Sequence, residues 1–215
     1  MTTKLAPTLQ RTQRRRGPIA LVALLAIAGC AQLPFRPVPE ASPTQAHAVV
    51  FDIDGTLTPA VMAIFEARPD AARAVHAYAD KGYAIIYLST RTGWLSAGVS
   101  DWLQRHGFPQ GSVHIAQTAQ ERDHPDDYKA TLLREFRARG WVVDYAYGDS
   151  STDLTAYAAA GVPADHVFAL RRRGQAACQA GASAACLDGW TAHLAYIEST
   201  VPRVDAPDSP GHAAQ

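Results

Sequence analysis

One stretch, residues 49–58, reads VVFDIDGTLT and constrains this chain more than any other. The run of Val, Val, Phe and Ile reads as a buried β-strand, and Gly55 ends it with a turn. Side chains two apart on a strand share a face, so Asp52 and Asp54 are expected side by side at the strand's C-terminal end. In open α/β sheets that end is where ligands bind. Two carboxylates held close repel unless a cation or proton is shared between them. A hard cation such as Mg²⁺ takes oxygen ligands and binds through carboxylates plus phosphate. A single aspartate is ordinary at the polar end of a strand. Two, followed by Gly55 and Thr56, point to a site.

The following chain alternates apolar runs with amphipathic segments. Strands are expected at 83–88, 113–116, 141–147 and 166–170, and helices at 69–81, 94–106, 126–139, 152–160 and 189–200. This order gives an α/β domain with a parallel sheet and right-handed crossovers. Polar residues follow the strands: Ser89, Thr90 and Arg91 after the second, and GDSSTD at 148–153 after the fourth. Lys129 falls in the first turn of the helix after the third strand, where the helix dipole disfavours a cation.

DxDGT after a hydrophobic strand resembles the first motif of the haloacid dehalogenase (HAD) superfamily of phosphatases. The longer DIDGTLT is similar to its lipin-type phosphatidate phosphatases. The resemblance covers about residues 47–200. It implies a three-layer, Rossmann-like HAD fold with sheet order 5-4-1-2-3 and the first strand central. The intervals from Asp54 to Ser89 and from Ser89 to Lys129 leave no room for a large cap domain.

The same resemblance implies the roles. Asp52 is the nucleophile and Asp54 the general acid and base. YLSTR is similar to the second motif, with Ser89 as the phosphate-binding hydroxyl and Thr90 as the alternative. Lys129 neutralises phosphate and nucleophile. Asp149 and Asp153 hold Mg²⁺ together with Asp52 and Asp54. Asp149 departs from the lipin-type pattern, which commonly has Asn there. Thr56 is expected to orient Asp54. Arg91 suits phosphate by its guanidinium geometry, although a solvated surface arginine is the plainer reading. The run Arg171, Arg172 and Arg173 fits either anionic head groups or, more commonly, a solvated face.

Charge and cysteines bear on location. The chain has 20 basic and 20 acidic residues. Residues 1–29 hold Lys4, Arg11, Arg14, Arg15 and Arg16 and no acids, so the remainder carries 15 basic against 20 acidic residues, a net −5. That sign gives no support to nucleic-acid binding. The basic start, the apolar run 19–29 and then Cys30 read as an export signal, too short for the roughly 20 residues of a membrane span. Ile27-Ala28-Gly29-Cys30 resembles a bacterial lipoprotein box, which implies cleavage before Cys30, a lipid anchor there, and a periplasm-facing place at the outer membrane. Residues 30–46 are expected as a Pro-rich tether, 47–200 as the domain and 201–215 as a disordered tail. In an oxidising space Cys178 and Cys186 read as a disulfide.

The implied activity is Mg²⁺-dependent hydrolysis of a phosphomonoester through an aspartyl-phosphate. The substrate is a phosphorylated small molecule or, given the anchor, a lipid phosphate such as phosphatidate. A broad periplasmic acid phosphatase for soluble esters and a non-catalytic lipid-phosphate binding module are the alternatives.

Overall fold

A computed structural model describes residues 37–204, and Thr2, of the chain. Six parallel strands form one sheet in the order β3-β2-β1-β4-β5-β6. They are β1 His47–Asp52, β2 Ala84–Ser89, β3 Ser112–Ile115, β4 Val142–Gly148, β5 Val167–Leu170 and β6 Ala185–Leu187. The helices are α1 Ala71–Ala79, α2 Gly93–Ser96, α3 Val99–Arg105, α4 Ala119–Asp123, α5 Pro125–Ala138, α6 Ser151–Ala159 and α7 Leu194–Ser199.

β1 is central and covered on both faces, which is why it reads as an unbroken apolar run rather than an alternation. Val49 and Phe51 point into one core with Tyr78 of α1, Trp102 of α3 and Ile197 of α7. Ala48 and Val50 point into the other, with Leu133 and Phe136 of α5 and Tyr157 of α6. The result is the expected three-layer arrangement of a parallel sheet between helices, with no large cap among the described residues.

Several expectations change in detail. The helix expected over 94–106 is two short helices, α2 and α3, with the break at residues 97–98. Helix α4 was not expected. Its start is a capping box in which Thr118 accepts from the Glu121 N–H and the Glu121 carboxylate accepts from the Thr118 N–H. β6 was also missed, because three residues carry too little periodicity to signal a strand. It is tied back by the Cys178–Cys186 disulfide, with an S–S distance of 2.07 Å. Closing so short a loop stabilises the fold by about 2–3 kcal/mol on the chain-entropy model. The last helix is shorter than expected: α7 begins at Leu194, after a 3₁₀ turn at Thr191–His193.

Residues 37–46 are not a free tether. Val38 is buried in the second core, and the indole N–H of Trp141 donates to the Pro39 carbonyl at 2.7 Å. At the other end Val201 is buried and the Val204 N–H donates to the Lys81 carbonyl. Apart from Thr2, the expected signal segment lies outside the described residues, as do Cys30 and residues 205–215.

A polar chain crosses the first core. The hydroxyls of Tyr78 and Tyr147 lie 2.7 Å apart, and the Tyr147 hydroxyl is 2.9 Å from Nε2 of His193. His193 also packs on Phe168 and Tyr196. Burial lowers its pKa from 6.5 to about 4. The unfolded chain therefore takes up this proton first. The contribution to stability is complete above pH 6.5 and is lost as the pH falls toward 4. His193→Gln should flatten the pH dependence of the urea midpoint across that window. Equal slopes for the two proteins would show that His193 does not contribute.

Candidate active site

The C-terminal ends of the central strands carry the site. Asp52 is the last residue of β1 and is buried. Lys129, in the first turns of α5, is buried as well and donates to Oδ1 of Asp52 and Oδ1 of Asp153, each at 2.5 Å. Pro125 starts α5, and Asp126 and Asp127 offset the dipole against which Lys129 sits. Asp153 belongs to the capping box of α6. Its Oδ2 accepts from the Asp149 N–H, the Ser150 N–H and the Ser150 hydroxyl.

Carboxylate oxygens of Asp52, Asp149 and Asp153 all lie within 4.8 Å of one another, and all three residues are buried. Oδ2 of Asp52 is buried and has no hydrogen-bond partner. Such an atom is costly unless something positive meets it. The two cations touching the cluster are Lys129 and Arg172, whose Nε donates to Oδ2 of Asp149. Three carboxylates against two cations leave one negative charge uncompensated. The charge balance shows in the proton affinities. Burial and repulsion from Asp153 push the Asp52 carboxyl well up, against the pull of Lys129. Burial pushes Asp149 up to about 6, with Arg172 opposing. Burial acts the same way on Asp153, but Lys129 and Ser150 outweigh it and hold it below the usual range. An orphaned buried carboxylate oxygen, an all-oxygen donor set and a missing positive charge fit a hard divalent cation.

Two glycines make the cluster possible. Gly55 has φ +88°, and a Cβ there would overlap the Asp149 carboxylate. A Cβ at Gly148 would overlap the side chain of Asp153.

Asp54 stands apart from this group, which corrects its expected place among the metal ligands. β1 ends at Asp52, so the rule that alternate residues share a face no longer applies two residues on. The turn aims the Asp54 side chain at the end of β2. There it accepts from the Ser89 hydroxyl at 2.7 Å and from the Arg91 guanidinium through Nε, at 2.9 Å, and Nη2, at 2.5 Å. Ser89 and Arg91, expected on substrate phosphate, thus both hold Asp54. The Ser89 Oγ also accepts from the Arg91 N–H. Thr90 is partly exposed beside them. Thr56 does not orient Asp54: its hydroxyl is buried without a hydrogen-bond partner. Thr58 fixes the turn instead, accepting from the Gly55 N–H at 2.7 Å and donating to the Ala60 carbonyl.

One arginine, Arg68, escaped the sequence reading, and Arg172, expected on head groups or a solvated face, instead donates to Asp149. Arg68 is buried and donates to the carbonyls of Gly55, Thr58 and Arg171, joining the motif turn to the loop after β5. Nothing local in the sequence marks it. Arg172 had a signal, since it follows a strand that ends on the same rim.

Residues 49–171 match the family described as PITM 1-3, LNS2 domain, more than half of the chain. The chain belongs to the LNS2 family. The LNS2 chain is 31% identical over 165 residues to human membrane-associated phosphatidylinositol transfer protein 3, covering 74% of this chain and 16% of that protein. It is 29% identical over 163 residues to the protein retinal degeneration B of Drosophila melanogaster, covering 73% and 12%. It therefore spans about one-sixth or less of the length of these relatives. A chain of the Pnkp1/Rnl/Hen1 RNA repair complex shares the fold, with a TM-score of 0.51 and 17% identity over 65% of this chain and 47% of that one.

Lys129→Ala should leave buried carboxylates uncompensated and lower the stability of the LNS2 domain by roughly 3–5 kcal/mol in chelated buffer. Millimolar Mg²⁺ should recover part of that loss in a urea titration. Unchanged stability would mean that the cluster is already protonated.

Proposed function

We propose that this LNS2 domain is a phosphomonoester hydrolase that works through an aspartyl-phosphate and depends on a divalent cation. The observation that carries this reading is the buried, unpartnered Oδ2 of Asp52, set beside Lys129 and two further carboxylates. Asp52, Asp149 and Asp153 are the residues that would hold Mg²⁺. When bound, the ion supplies positive charge that offsets the phosphate's own and the charge developing on its oxygens.

The chain's own residues carry the rest. A carboxylate oxygen of Asp52 forms the new bond to phosphorus as the bond to the ester oxygen breaks. Lys129 already donates to Asp52 and neutralises charge on nucleophile and phosphate. Protonated Asp54 gives its proton to the departing alkoxide, then takes one from the water that cleaves the aspartyl-phosphate. For this Asp54 must be released from Arg91, and a bound phosphate competes for the same guanidinium because its oxygens match the planar fork. Spreading charge over positioned donors is most of what phosphoryl transfer demands.

For the substrate we propose a lipid phosphate such as phosphatidate. Support comes from the lipin-type motif, from the absence of a large cap over the site among the described residues, and from relatives named as membrane-associated phosphatidylinositol transfer proteins. Lipidation of Cys30 and a place at the bacterial envelope belong to the same proposal. Among the described residues no helix is long and apolar enough to cross a membrane. A second reading, lipid-phosphate binding without turnover, is favoured by the clasp of Arg91 and Ser89 on Asp54 and by the relatives' transfer-protein names.

Phosphate release separates the readings. The native chain should release phosphate from phosphatidate vesicles, stop with EDTA and resume with Mg²⁺. Asp52→Asn should fall to background while its circular dichroism stays native. Retained turnover in that variant would remove Asp52 as nucleophile. Binding without release by the native chain would favour the second reading, and faster release from soluble esters would move the substrate away from lipid.

A further inference from the structure

Four large hydrophobic side chains are exposed among the described residues, and three of them share one loop. Val61, Met62 and Phe65 are 40%, 79% and 80% exposed. The fourth, Val142, lies at the N-terminal start of β4, on the edge of the sheet opposite the site. The loop leaves the core directly after the Gly55 turn, and its neck is pinned. The Arg68 N–H donates to the Leu57 carbonyl at 2.8 Å, and the Arg68 guanidinium holds Thr58 and Gly55. His106 meets the Phe65 carbonyl at 3.1 Å. The apolar side chains therefore stand at the tip of a braced loop.

The basic turn Arg171, Arg172 and Arg173 lies against this loop. The Arg173 N–H donates to the Pro59 carbonyl at 2.8 Å, and its guanidinium pairs with Glu66 at 2.7 Å. Pro59 and the three arginines line one open pocket of about 470 Å³. Two of the arginines have exposed acidic partners, Glu66 for Arg173 and Asp188 for Arg171. Exposed ion pairs contribute little and exchange readily for another anion. Arg172 is the exception, held by buried Asp149.

We infer that the loop 61–65 inserts into the surface of an anionic lipid bilayer, with the arginine turn at the level of the head groups. Three apolar side chains cannot furnish the roughly 800 Å² per partner of an ordinary protein interface. They do suit shallow burial at the boundary between head groups and acyl chains, where apolar insertion and attraction of basic residues to anionic lipid act together. Docked this way, the rim holding Asp52 faces the membrane. The inference rests on the proposed lipid-phosphate reading only in that last consequence; insertion itself requires no turnover.

The test places a probe at the tip. Phe65→Trp in the full chain is mixed with vesicles of phosphatidylglycerol or of phosphatidylcholine, each with brominated acyl chains, and the wild-type tryptophan signal is subtracted. The expected result is blue-shifted emission and quenching, stronger on the anionic lipid. Arg171→Gln with Arg173→Gln should weaken the quenching on anionic vesicles by about tenfold in lipid concentration. Native near-ultraviolet circular dichroism shows each variant folded. No quenching in chain that sediments with the vesicles would overturn the inference. So would equal quenching on both lipids, or a concentration-dependent blue shift without lipid, which would assign the loop to a protein contact. Asp52→Asn added to the probe should leave the quenching unchanged. In the probe chain with Asp52 intact, quenching without phosphate release would keep the docking surface while removing the enzyme.

Discussion

Three carboxylates buried around one ammonium are the constraint on which the rest of this structure depends. Asp52, Asp149 and Asp153 could not be held so close in a dry interior without Lys129 between two of them and Arg172 on the third. The surrounding fold serves that arrangement. A central parallel strand brings Asp52 to the rim, the next strand of the sheet ends beside it with Asp149, and the start of α5 delivers Lys129. Positive charge still falls short by one, and that shortfall leaves Oδ2 of Asp52 without a partner.

A second unit sits beside the first and is electrically closed. Asp54, Ser89 and Arg91 satisfy one another through charge-assisted hydrogen bonds. The two aspartates of one short motif thus have opposite situations. Asp52 shares a lysine and keeps an oxygen open, whereas both oxygens of Asp54 accept from Arg91. Chemistry that uses them in different roles needs environments that differ, and the turn at Gly55 separates them.

The rim has a mechanical side as well. Arg68 spends its guanidinium on backbone carbonyls of two loops, which ties the motif turn to the arginine turn after β5. The carboxylate cluster, basic turn and apolar loop are therefore braced against one another.

Much of this was legible in the sequence. Runs of Val, Phe, Ile and Tyr bounded by glycine determined the first five strands, and polar residues after those strands marked Asp52, Ser89, Lys129 and Asp149, because a parallel sheet puts all such ends on one rim. The motif resemblance supplied the sheet order. What the sequence could not decide was which side chain meets which. Asp54 leaves the carboxylate cluster because β1 stops at Asp52, a boundary that depends on pairing with β2. Arg68 and Arg172 take their places through contacts across about 120 and 23 residues, at Asp188 and Asp149. β6 exists through pairing with β5 and a disulfide rather than through any pattern of its own. Local periodicity fixes elements because it acts between near neighbours. Partners far apart in the chain are chosen only once packing has brought them together.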